Sequence, residues 1–145
     1  MADVAHPHLN ALKWPSYYPK NLIIPPQDSL LAQGKFYRLV SHHIPTRECF
    51  FSTHQEQPNR HKSKSLSSED RVNLYGTSFF DNEDKARHTR DAFPQSLGGK
   101  LIAEGILIEY MGAMKKTRGP SHFTVWLKNA CDIHQHFQSV EAVKS

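Results

Sequence analysis

The sequence predicts a single α+β domain, mostly antiparallel strands with one clear helix and long connections. Three observations lead there. Short stretches with strand-like alternation or β-branched and aromatic content recur from residue 35 onward. One helical pattern stands out, near 82–93, and the strand candidates do not alternate with helices as a doubly wound fold requires. Proline-rich and strongly polar stretches separate the elements.

Residues 1–34 carry Pro7, Pro15, Pro19, Pro25 and Pro26 among the aromatics Trp14, Tyr17 and Tyr18. Proline fixes φ and removes a backbone donor, so this is an extended or turn-rich extension packed on the domain. Leu22-Ile23-Ile24 pins it there, and Ser29 to Gly34 is expected to form one helical turn. The globular domain is expected to run over 35–137. In the strand 36–40, Phe36, Arg38 and Val40 share one face, and Tyr37 and Leu39 the other. An arginine in that position either reaches water at the end of the sheet or lines a polar cleft.

A second strand is expected over 48–52, and a mobile surface loop over 53–70, where Leu66 is the one strongly apolar residue. Ser67-Ser68-Glu69-Asp70 reads as the start of a short helix. A strand over 74–80 stops at Asp81, which fits an N-cap. The helix that follows puts Ala86, Thr89 and Phe93 on one face and ends at Pro94. Residues 100–111 form the longest strand candidate, with Gly105 marking a bulge or the close approach of another backbone. Ser121 to Leu127 alternates cleanly, with His122, Thr124 and Trp126 on one face. A short helix through His134 and His136 then frays into a tail, 138–145.

Composition excludes several classes. The 145 residues hold 18 Lys+Arg, 14 Asp+Glu and 2 Cys, and no apolar run approaches the roughly 20 residues of a membrane span. Met1-Ala-Asp-Val-Ala-His lacks the basic start and apolar stretch of a secretory leader, and two distant cysteines make no disulfide framework, so a cytoplasmic location is expected. No Walker loop, Gly-x-Gly-x-x-Gly, Gly-x-Ser-x-Gly or Cys-x-x-Cys is present. His42, His43, His54 and His61, or Cys131 with His134 and His136, are nominal metal ligands. Nothing in their spacing makes three converge, and no metal is predicted. Arg60, Lys62 and Lys64, and Lys115, Lys116 and Arg118, form two basic loops that suit either phosphate contact or plain solvation.

The remaining constellation is Arg38 on an early strand, Thr77 and Ser78 on a strand leading into the helix, and His122 on a late strand. In these residues the chain, over 35–127, resembles the ADP-ribosyltransferase-like superfamily. That family has a basic residue on its first strand, a Ser/Thr-bearing strand leading into a helix or loop, often a late-strand glutamate, and a split sheet that clasps NAD. The resemblance implies that Arg38 holds a phosphate of NAD and that Thr77 and Ser78 brace its nicotinamide ribose. Arg38, Ser78 and His122 are then the candidate catalytic set. Residues 121–127 contain no acid, and Glu104 and Glu109 fall one strand earlier. His122 takes the polar role there. The alternative function is a non-enzymatic module that engages a protein or nucleic acid through its basic loops and proline-rich N-terminus. The residues themselves also fit a plain structural role: Arg38 paired with a carboxylate, Ser78 a small sheet residue, His122 half-buried and satisfied.

Overall fold

A computed structural model of the chain describes residues 12–140. Its strands are β1 (Leu30–Leu31), β2 (Gly34–Val40), β3 (Thr77–Phe80), β4 (Leu101–Leu107), β5 (Gly112–Lys116), β6 (His122–Leu127) and β7 (Phe137–Ser139). The helices are α1 (Thr53–Glu56), α2 (Ser68–Asn73), α3 (Glu83–Ala92) and α4 (Pro94–Leu97). The strands form one seven-stranded sheet in the order β1-β5-β6-β3-β2-β4-β7, every neighbour antiparallel. This is the α+β architecture that the sequence predicts.

Register assigns the faces. One face presents Phe36, Arg38 and Val40 from β2, Phe79 from β3, Val125 from β6 and Met114 from β5. All of these but Arg38 pack with Cys49, Phe50, Cys131, Ile133 and Phe137 into the main core. The opposite face is covered in two places. Helix α3 lies over β2, β3 and β4 with Ala86 fully buried. Trp126, Leu74 and Tyr75 form a second, smaller core with Trp14, Tyr18, Leu22 and Ile24 of the N-terminal segment. The indole Nε1 of Trp126 donates to the Val72 carbonyl at 3.0 Å.

Several expected elements fall differently, each for a local reason. Residues 48–52 are not a strand. The Thr46 N–H and hydroxyl both engage the Cys49 thiol, closing a 3-10 turn over Arg47–Phe50 that drives Phe50 into the core. Residues 53–70 are not a structureless loop. Ser52 Oγ accepts from the Gln55 N–H at 3.2 Å while Gln55 Oε1 accepts from the Ser52 N–H at 2.9 Å, a reciprocal cap that starts α1. The Arg71 guanidinium then donates to the carbonyls of His61 and Ser63. Hydrogen bonds organise this segment where apolar burial is scarce.

The α3 cap is Asn82, because the Asp81 N–H is already donated to the Ser121 carbonyl, extending the β3–β6 pairing by one residue. Leu74 and Tyr75 precede β3, inside the turn that closes α2. Residues 100–111 divide at Ile108, and a 3-10 turn over Glu109–Met111 leads into β5. Gly112 makes that reversal at φ 152°, where a Cβ would collide with the Trp126 carbonyl. Residues 29–34 form no helical turn: Leu30 and Leu31 pair with Met114 and Ala113, and the Ala32 N–H donates to Gly112. At the far end a 3-10 turn, Ile133–His136, replaces the short helix and passes into β7, so Gln138 and Ser139 of the expected tail are strand. Residues 1–11 of the extension and 141–145 of the tail lie outside the described residues.

Candidate functional site

The site begins where the sheet is most thinly joined. Strands β2 and β4 pair along seven residues, but β2 and β3 share a single ladder pair, Tyr37 with Phe80. Arg38 is the next residue of β2, on the core face beside this opening. Its Nε donates to the Cys49 carbonyl at 2.7 Å and its Nη1 to the Ser78 carbonyl at 2.8 Å. The guanidinium lies 5.9 Å from the Phe50 ring centroid and 5.8 Å from that of Phe79. Such contacts suit a weakly hydrated planar cation. The side chain is buried, at 9% exposure, and burial lowers its pKa, with the Glu56 carboxylate working the other way. Among the described residues no carboxylate pairs with it directly, and Nη2 makes no hydrogen bond.

Two cavities meet at this guanidinium. The larger, about 620 Å³, is lined by Arg38, Ser78 and His122, by Phe80, Phe93 and Leu97, and by Glu56, Lys100 and Arg118. The smaller, about 330 Å³, runs past Cys49, Glu48 and His42. Arg38, Leu39, Glu56 and Lys100 border both. Three cations against one carboxylate line the larger space, and its apolar side is aromatic and aliphatic. Lys100 is held there by a 2.7 Å bond from Nζ to Ser41 Oγ. Arg118 enters from the turn before β6, at φ 55°, a left-handed conformation uncommon for a residue with a Cβ.

His122 sits on the wall, its ring edge-on to Phe80 at 5.4 Å. Burial, then the Arg118 charge, lowers its pKa, the Thr117 backbone contact opposes them, and Arg38 adds a smaller lowering. Cys49 borders the smaller cavity. Burial raises its thiol pKa, but hydrogen bonds from Thr46, Ser41 and His42 outweigh that and the net shift is downward.

The structure therefore brings Arg38, Ser78 and His122 to one cavity. Thr77 is elsewhere: it faces the core, its hydroxyl donates to the Phe50 carbonyl at 3.0 Å, and it borders a separate cavity of about 120 Å³. Glu104 is paired with Lys35 at 3.0 Å, and neither it nor Glu109 borders the larger space. Of the second basic loop only Arg118 reaches the cavity; Lys115 pairs with Asp28, and Lys116 lies over the Phe123 ring. Arg60, Lys62 and Lys64 point to solvent. Among the described residues no group of three or more His, Cys, Asp or Glu converges as a metal site.

Sequence reasoning missed Glu56, Lys100 and Phe93 as members of the site. Glu56 was hidden in the segment read as a loop, although the Ser52-x-x-Gln55 capping pattern was there to see. Phe93 falls on the apolar face of α3 by its spacing, yet it is 58% exposed at the cavity mouth. No helix among the described residues is long and apolar enough to cross a membrane. Comparison with family models, curated proteins and solved structures gives no significant match for this chain.

Proposed function

We propose that the chain binds NAD or a related nucleotide in the cleft between β2 and β3, as the ADP-ribosyltransferase-like resemblance implies. The observation that carries this reading is the buried guanidinium of Arg38. Two of its nitrogens are committed to backbone carbonyls, while Nη2 is left for a ligand beside a cavity that also holds Lys100 and Arg118. A charged donor in low-dielectric surroundings suits a phosphate oxygen well. Phe80, Phe93 and Leu97 supply an apolar side for a base or nicotinamide ring. A sheet that opens beside the arginine of its first long strand supports the same reading. The N-terminal aromatics favour it over a docking module, because Trp14 and Tyr18 are engaged in the molecule's own second core. The reading includes residence in a reducing compartment, where the free, buried Cys49 and Cys131 stay as thiols.

A thermal-shift titration with NAD tests this, since a ligand of the folded state stabilises by RT ln(1 + [L]/Kd). A rise in Tm at millimolar NAD is expected, reduced by Arg118→Ala and by Lys100→Ala. No shift with NAD, ADP-ribose or AMP overturns the reading.

A further inference from the structure

We propose that His122 is a general base in this cavity, held in its Nδ1–H tautomer by Thr117, which acts as its positioning residue. This rests on the nucleotide reading above and deepens it by naming the group that takes the proton. The Nδ1 atom lies 3.2 Å from the Thr117 backbone carbonyl and 3.0 Å from the Thr117 hydroxyl. A carbonyl oxygen only accepts, so the proton belongs on Nδ1 and the lone pair on Nε2. The Thr117 hydroxyl, with its oxygen taken up by that N–H, lies 2.8 Å from Thr124 Oγ1 in a buried pair. The Thr117 N–H donates to the His122 carbonyl at 2.9 Å, fixing the two residues across the turn. Nε2 has no hydrogen-bond partner among the described residues, and the ring borders the same cavity as Arg38 and Ser78.

The electrostatic surroundings keep the imidazole neutral and able to accept. Arg118 from the preceding turn, Arg38 from β2 and Lys100 ahead of β4 are cationic, Glu56 from α1 is the one acid, and α3 contributes the uncharged Thr89. In the reaction class that the resemblance implies, a water or hydroxyl acceptor loses its proton to Nε2 as its oxygen bonds to the ribose C1′. The glycosidic C–N bond breaks, and its electron pair leaves with neutral nicotinamide. With water the products are ADP-ribose, nicotinamide and one proton, so no further reactant is needed.

Two measurements on the full chain test this. Long-range 15N–1H spectra of the ligand-free protein should show His122 as Nδ1–H, with Thr117→Val, which removes the hydroxyl but keeps the backbone carbonyl, lowering the Nδ1–H share only in part, and Thr117→Ser preserving it. An Nε2–H tautomer in the unaltered protein overturns the proposal whatever binds. Nicotinamide release from NAD should fall about 10²–10⁴-fold in His122→Asn. It should fall by no more than about twofold in Thr117→Val with KM unchanged, because even an equal mixture of tautomers leaves about half of the rings with Nε2 free to accept. Thr117→Ser should restore it, and the acid limb of the rate profile should follow the His122 titration seen by NMR. Failure of NAD to bind overturns the nucleotide reading beneath the proposal. Binding with no nicotinamide release, or with release unaltered in His122→Asn, overturns the base alone.

Discussion

Removing the Arg38 side chain tests the central contact of the fold. Arg38→Ala leaves two carbonyls, of Cys49 and Ser78, without the donors that now sit 2.7 and 2.8 Å away. A buried carbonyl without a partner costs about 1–3 kcal/mol, so the gross loss is about 2–6 kcal/mol. Two effects offset part of it. The adjoining cavity admits water to the freed carbonyls, and the protein no longer bears the cost of keeping a cation out of bulk solvent. A net destabilisation of about 2–4 kcal/mol follows. For a chain of this size each kcal/mol lowers Tm by roughly 3–4 °C, giving a fall of roughly 6–16 °C. Arg38→Lys should lie between, since an ammonium lacks the planar fork that spans both oxygens. Urea denaturation, with Tm as a second readout, measures both. An Arg38→Ala protein that melts within about 2 °C of the original would refute the idea that the guanidinium holds β2, β3 and the 3-10 turn together. The variant is consequently a poor probe of ligand binding by itself, which is why Lys100 and Arg118 serve there.

Three further outcomes are expected. Gly105→Ala should cost about 1–3 kcal/mol by denaturation, because its Cβ would collide with the His136 carbonyl and the Phe137 ring that covers this position of β4. Stability should fall on acidification from about pH 7.5 to 5. Burial holds His122 and His54 below the ordinary imidazole value of 6.5, so their contribution is present above 6.5 and is lost as pH falls toward their folded values. His122→Gln and His54→Leu should flatten that slope, and an unchanged slope counts against the buried-neutral assignment. Arg47→Ala should change stability by less than about 1 kcal/mol, since its ion pair with Asp132 is half-exposed. A larger loss would mean that this pair, and not Phe50 with Ile133, fastens the two 3-10 turns.

Local pattern made part of this molecule legible. The alternation of β2 and β6 places Arg38 and His122 on strands, and the expected helix is found at α3 with its cap shifted by one residue and its end at Ala92, before Phe93. Gly105, expected to mark a bulge or a close approach of another backbone, lies against the His136 carbonyl and the Phe137 ring. The losses came where non-local pairing decides. Gly112-Ala-Met-Lys-Lys has little intrinsic strand preference and becomes β5 because β6 and β1 flank it. Cys49-Phe50-Phe51 has strand-like composition, but a thiol contact from Thr46 turns it. Nothing in the residues of β2 or β3 taken singly says that they pair at one position, and the grouping of Glu56 and Lys100 with Arg38 follows from that opening.

A sheet joined at its middle by one residue pair and one guanidinium has a seam. Strands β1, β5, β6 and β3 lie on one side of it, and β2, β4 and β7 on the other. A small molecule lodged along that seam would act as a rivet. Amide exchange should then slow in both flanking strands at once, well beyond the atoms the ligand touches, and the recognition event would be felt as stiffness across the whole domain.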